Sequence, residues 1–128
     1  MVRDLDFSKL LPRIQKSKFR SGFKLSRKDL AYIERIGIDK IKEHAKVFIQ
    51  KRLAPANPPN DGKQTPFKNH PVFKAQHATA TCCRGCLLKW YGISKERALT
   101  NDECKRIVDI LLAWIKRQME RGKTAVYS

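Results

Sequence analysis

A small, mostly α-helical single domain, with a proline-rich loop and a central His/Cys segment, is the fold class this sequence predicts. Three observations predict it. Apolar residues recur at helical spacing over residues 30–36, 41–49 and 104–115. Ser26 with Asp29, and Thr100 with Glu103, set a hydroxyl and an acid three residues apart ahead of two of those stretches, the pattern of a capping box. The long break between them, Ala54 to Thr65, reads APANPPNDGKQT and suits neither a helix nor a central strand. With 128 residues the chain has the length for one domain and a modest core.

At the N-terminus Phe7, Leu10, Leu11 and Ile14 fall at helical spacing, but Pro12 conflicts with a helix interior, so the helix starts late or the segment is irregular. Arg13 to Lys28, RIQKSKFRSGFKLSRK, interleaves bases with Phe19, Phe23 and Leu25. Either the phenylalanines anchor the segment to the core while the bases face water, or the segment lies along a phosphate backbone with its aromatics on bases. Ser26 then caps a helix carrying Leu30, Ile33 and Ile36, and Gly37 can end it in a left-handed conformation. A second helix begins near Asp39, with Ile41, Ala45, Phe48 and Ile49 inward and Pro55 as its stop. The junction IERIGIDKIKEHA invites comparison with a helix-hairpin-helix phosphate grip, although Asp39 stands where such motifs usually have a second glycine; a plain tight turn is the alternative.

The loop over residues 55–66 separates a basic half, 1–54, from a half holding the His/Cys segment and the last helix, 67–128. That helix is expected from about Asn101 to Glu120. Its apolar stripe is Cys104, Ile107, Val108, Leu111 and Ile115, widened by Ile110, Leu112 and Trp114, and the tail after Gly122 is expected to fray.

The net charge is +16, from 28 Lys and Arg against 12 Asp and Glu. A small domain this basic attracts polyanions, of which nucleic acid is the commonest. The excess is concentrated in residues 1–54, with 15 basic and 6 acidic side chains, whereas residues 101–128 carry 6 and 4. No apolar run is long enough to span a membrane and no signal-peptide core follows the basic N-terminus, so no membrane partner and a cytoplasmic location are expected. In a reducing compartment four clustered cysteines read as ligands, buried thiols or reactive groups before they read as disulfides.

The chemistry concentrates between Phe67 and Trp90, FKNHPVFKAQHATATCCRGCLLKW. His70, His77, Cys83 and Cys86, with Cys82 as an alternate, supply enough ligands for a tetrahedral zinc site, the CxxC giving one close pair. The same residues allow nucleophilic chemistry, with His77 as general base or ligand and Cys83 or Cys86 as nucleophile. They also suit a tightly packed helix of small residues, Ala78, Ala80, Cys82, Cys83, Cys86 and Leu87 among them, with His77 as a satisfied core or capping residue. The polar set Gln76, His77, Thr79, Thr81 and Arg84 resembles a pocket that hydrogen-bonds a phosphate or a nucleobase.

HPVFKAQHATATCCRGCLLKWYGI, with KRLAPA and NDGKQTPFKNHP before it and LTNDECKRIVDILLAWI after it, resembles a bacterial and archaeal family of small proteins catalogued as a domain of unknown function. The resemblance covers roughly residues 19 to 118 and implies no catalytic role for any residue. In that family a histidine commonly follows the tryptophan; Tyr91 occupies the place here, so a metal site that depends on such a histidine would not carry over.

The expected function is nucleic-acid binding, to DNA or RNA, through the phosphate backbone. Arg20, Lys24, Arg27 and Lys28 are the expected phosphate contacts, with Arg84 near the central pocket. The alternatives are an enzyme acting on a nucleotide or nucleic acid through the His/Cys cluster, and a zinc-stapled protein-interaction module. A P-loop, a dinucleotide-binding glycine fingerprint, an HExxH and a nucleophile elbow are all missing. Paired carboxylates are absent from the central segment, which excludes two-metal nuclease chemistry unless distant acids converge.

Overall fold

The computed structural model describes residues 12–14 and 16–127, with side chains as far as Gly122. Phe7, Leu10 and Leu11 lie outside the described residues. Residues 12–14 are helical, so Pro12 occupies a helical turn, and Ile14 is buried. Six α-helices follow: α1, Lys18–Ser21; α2, Arg27–Ile36; α3, Ile38–Phe48; α4, Pro71–Ala78; α5, Arg84–Tyr91; and α6, Asn101–Tyr127. A π-helical turn, Ile49–Leu53, extends α3, with the Ala54 N–H reaching back to the Ile49 carbonyl at 2.8 Å. There is no strand among the described residues.

Both expected capping boxes form. In α2 the Ser26 hydroxyl accepts from the Asp29 N–H while the Asp29 carboxylate accepts from the Ser26 N–H. In α6 Thr100 and Glu103 do the same, and Glu103, only 1% exposed, also takes both guanidinium nitrogens of Arg97 at 2.7 and 2.8 Å. Gly37, at φ 89°, joins α2 directly to α3 with a backbone angle that side chains rarely adopt. Asp39 is exposed at the start of α3.

Helix α6 is the central element. Its buried stripe, Cys104, Ile107, Val108, Ile110, Leu111, Leu112, Trp114 and Ile115, meets Ile33 of α2, Ile41 and Ala45 of α3, Ile49 and Leu53 of the π turn, and Val72 and Ala75 of α4. It continues through Gly122 to Tyr127, beyond the expected fraying point. Lys74 of α4 bonds Asp29 of α2 at 2.5 Å, which ties the second half to the first.

The central segment departs from a single helix. Helix α4 ends at Ala78, and residues 79–83 form a turn before α5 begins at Arg84. No glycine or proline makes this turn; Ala80 takes φ 61° instead, in the left-handed region that costs an alanine about 1 kcal/mol. Buried side chains hold it there. The Gln76 amide donates to the Thr81 carbonyl, the Thr79 hydroxyl to the Ala75 carbonyl, the Thr65 hydroxyl to the Cys82 carbonyl and the Tyr91 hydroxyl to the Thr79 carbonyl. Gln76, Thr79 and Thr81 therefore hold the turn rather than line a ligand pocket.

Candidate functional site

The turn after α4 brings three thiols together. Sγ atoms of Cys82, Cys83 and Cys86 all lie within 4.8 Å of one another, close enough to hold a metal ion. Cys83 is the N-cap of α5, its sulfur accepting from the Cys86 N–H at 3.4 Å. Cys86 sits one turn into α5, where its sulfur accepts from the Cys82 thiol at 3.6 Å. Zinc–sulfur bonds of about 2.3 Å in a tetrahedron separate sulfurs by about 3.8 Å, so this spacing needs little adjustment. The fourth cysteine, Cys104, is buried on α6 outside the group.

Arg20 reaches this cluster from α1. Its guanidinium donates to the His77 carbonyl at 2.7 Å, to Cys86 Sγ at 3.0 Å and to Cys82 Sγ at 3.8 Å. Hydrogen bonds from Cys82 and Cys83 pull the Cys86 thiol well below its ordinary pKa; burial opposes them and the charge of Arg20 assists. The Cys82 thiol is pushed up by its bonds to Cys83 and Cys86 and by burial. One thiolate, shared by a donating thiol and a guanidinium, is the arrangement these shifts describe. Arg20 therefore spends much of its hydrogen-bonding capacity on sulfur, and only part of it faces outward.

His77 and His70 separate in role. His77 is 4% exposed and stacks on Phe67, centroids 4.4 Å apart, and on Phe23, 5.2 Å away. Its Nε2 lies 3.1 Å from both the Thr65 and Pro66 carbonyls, which requires a proton there and leaves Nδ1 with the lone pair. That Nδ1 is buried without a hydrogen-bond partner, and burial pulls the imidazole pKa down. His70 instead caps α4: its Nδ1 accepts from the Val72 N–H at 3.0 Å, so Nε2 carries the proton and donates to His44 Nδ1, also at 3.0 Å. Both ring nitrogens are taken, and His70 is not a ligand beside the thiols.

Arg84 is the second correction. The expected phosphate contact is 0% exposed, and its guanidinium donates to five carbonyls, those of Leu53, Ala54, Pro55, Ser94 and Arg97. No phosphate reaches it. Tyr91 is buried and bonded to the turn.

Missed in the sequence was Asp61. Its carboxylate crosses from the proline-rich loop to accept the Arg84 N–H at 2.9 Å and the Gly85 N–H at 2.8 Å, supplying the acceptor that the weak Cys83 sulfur lacks. The only signal was its place in a turn before the cysteines. The same contact leaves little room at Gly85, since a Cβ there would stand 2.9 Å from Asp61 Oδ2 and push on the carboxylate that caps α5.

The expected basic contacts do not form one surface. Arg20 and Lys24 line a cleft of about 210 Å³ whose other wall is Arg117, Gln118 and Arg121 of α6, with Phe23 and Trp114 between them. Four cations and no carboxylate line it among the described residues. Lys28 lines a separate groove of about 570 Å³ with Asp29, whose carboxylate is held by Lys74. Arg27 is exposed at the first position of α2 and lines neither. No helix among the described residues is long and apolar enough to cross a membrane.

No solved structure matches this chain. A family model does, over residues 8–116, which takes in nearly all of the roughly 19–118 that the resemblance covers and extends it toward the N-terminus. The thiol cluster, the turn that carries it and the basic cleft beside it all lie within or against that span, and the chain belongs to the family described as Domain of unknown function (DUF4186).

Proposed function

We propose that this chain binds nucleic acid through the phosphate backbone, across the cleft between α1 and α6, and that Cys82, Cys83 and Cys86 hold a zinc ion that keeps that cleft's wall in place. The observation that carries the reading is the cleft itself, with Arg20, Lys24, Arg117 and Arg121 around it and no carboxylate among its described lining. Such a concentration of one sign focuses the field of a +16 chain on a small area. Contacts of this kind position a strand without reading its bases, so DNA and RNA are both substrates on these grounds.

Zinc suits the donor set because thiolates are soft ligands and structural sites close a tetrahedron with four of them or with a histidine. His77 is the fourth ligand in this reading, although only the three thiols form the close group, so its ring would have to move toward them. Its Nδ1 lone pair is buried and unpartnered, and its Nε2–H is held by backbone carbonyls, the outer-shell pattern of ligating histidines. Three thiolates and a neutral imidazole around Zn²⁺ leave one negative charge, which Arg20 faces. The metal would fasten α1, and with it Lys24, onto the turn between α4 and α5.

Two measurements test this. Elemental analysis of protein purified without an affinity metal should find about one zinc per chain, lost in a His77→Ala, Cys83→Ala double variant. Fluorescence anisotropy with a labelled oligonucleotide should show affinity falling steeply with salt, and Lys24→Gln or Arg121→Gln should reduce the salt slope by about 1 each. Zinc without any affinity for DNA or RNA would replace the reading with a zinc-stapled protein-interaction module. A second reading is favoured by the lowered pKa of Cys86 beside Arg20, which suits a nucleophile of a nucleotide- or nucleic-acid-processing enzyme. Metal-free protein whose Cys86 is alkylated selectively near neutral pH would move the weight there.

A further inference from the structure

We infer that the preferred ligand of this surface is single-stranded nucleic acid, with unpaired bases stacking on Phe19 and Phe67 while the adjoining phosphates enter the cleft between α1 and α6. The inference rests on the nucleic-acid reading above and narrows it. Phe19 is 54% exposed and Phe67 61% exposed, and they are neighbours, with ring centroids 6.3 Å apart. Helix α1 holds Phe19 outward although Phe23, four residues on, is half-buried; the two rings meet edge to face at 5.1 Å. Phe67 is stacked on His77 and still keeps most of its surface in water. These are costly placements for large rings, and the two, edge to face with planes 83° apart, form one exposed aromatic patch with a face for a base on each ring rather than a scattered pair of surface residues.

The patch is continuous with the cleft. Phe23 lines the cleft, meets Phe19 edge to face and lies parallel to Phe67 with centroids 6.5 Å apart. The Arg20 guanidinium lines the cleft and also lies 5.6 Å from the Phe19 ring centroid. A nucleotide spans a base and a phosphate, and here an aromatic surface adjoins a cleft whose described lining carries cations and no carboxylate, at the same scale. Duplex bases hide their faces in the stack and would leave both phenylalanines idle. Unpaired bases present a π face to any aromatic ring, and each stacking contact is worth about 1–3 kcal/mol. An acidic protein would satisfy the cations, but its carboxylates have no use for the rings.

The test compares a labelled single strand of about 12 nucleotides, as DNA and as RNA, with its duplex at one salt concentration. A 2-aminopurine base placed mid-strand reports stacking directly. The expected result is tighter binding of the single strand, by roughly tenfold, with quenching of the 2-aminopurine. Phe19→Leu and Phe67→Leu keep apolar contact with Phe23 and His77 but remove the π faces. Each should weaken single-strand binding roughly 5- to 100-fold, leave the salt slope unchanged and reduce the quenching, which the double variant should abolish. Equal affinity for strand and duplex, undiminished binding by the leucine variants, or competition by polyglutamate as strong as by an oligonucleotide of equal charge would each overturn the inference. In the first two cases backbone binding would stand. Loss of binding to every nucleic acid tested would remove both readings.

Discussion

His70 shows how a residue that looks like a ligand is consumed by its neighbours. Its Nδ1 caps α4 and its Nε2–H is given to His44, so a second proton would displace the Val72 N–H from its acceptor. Burial, then the adjacent His44, pull its pKa from the ordinary 6.5 to about 4. The unfolded chain takes up this proton near pH 6.5 and the folded chain only near 4. The stability His70 contributes is therefore complete above pH 6.5, falls as pH drops from 6.5 towards 4, and is level below that. Urea unfolding should lose about 1–2 kcal/mol across this window on account of His70. Asp29 and Glu103, whose pKa values are lowered by Lys74 and Arg97 against the cost of burial, are common to the native chain and the variant below, so their contribution cancels in the comparison. In His70→Asn the amide oxygen can still accept from Val72, so the cap persists while the titration is gone. The variant should show a flatter stability profile between pH 4 and 6.5, and identical profiles for the two proteins would dispose of the assignment.

At the scale of elements, α5 is the one whose start depends on a distant residue. Cys83 occupies the N-cap and its sulfur is a weak acceptor, so Asp61 supplies the carboxylate from the proline-rich loop. Asp61→Ala should cost about 1–2 kcal/mol, the value of a helix cap, and should loosen the thiols that α5 carries. Gly85→Ala is the informative partner. In the native chain the new Cβ meets Asp61 Oδ2 at 2.9 Å and destabilises. Once Asp61 is replaced by alanine the obstruction is gone, and the better helix former should be neutral or stabilising by up to about 1 kcal/mol. A double-mutant cycle in urea should therefore show Gly85→Ala reversing its sign; simple additivity would mean that the two residues do not meet. The same region explains what could be read from the sequence. Helices α2, α3 and α6 were legible because each has one apolar face and a recognisable cap or stop. Helix α4 was not, because Val72, Ala75, Gln76, His77 and Ala78 are buried together and leave no polar face to set a period, and α5 is legible only as part of one longer helix of small residues. The break at residues 79–83 carries neither glycine nor proline, and Ala80 adopts its left-handed angle only because buried side chains hold both ends of the turn. The spacing predicts Cys83 and Cys86 as a close pair with Cys82 only as an alternate; the turn at residues 79–83 brings in Cys82 as well, and neither histidine belongs to that group, His70 being held by Val72 and His44 and His77 by Thr65 and Pro66.

For the whole molecule, Arg84 separates the charge that holds the fold from the charge that faces solvent. Its guanidinium collects carbonyls from residues 53–55 and from 94 and 97, segments about forty residues apart, and these are bound to each other by backbone hydrogen bonds from Asn57 to Lys95 and from Leu99 to Ala54. The end of the basic half, the loop and the connector before α6 are thus laced together around one buried cation. Lysine keeps the charge but has three donors on a single nitrogen, which cannot serve two groups of carbonyls on opposite sides of a planar fork. Arg84→Lys should cost about 3 kcal/mol, or about 10 °C in the melting temperature of a domain this size. At temperatures where the variant remains folded, its affinity for an oligonucleotide and its salt slope should equal those of the native chain, because the side chain never reaches the surface. Lys24→Gln and Arg121→Gln should behave in the opposite way, with melting little changed and the salt slope reduced. If Arg84→Lys instead weakened binding at full stability, the buried cation would belong to the binding site, and the division of the chain's +16 charge into a structural and a phosphate-facing part would fail.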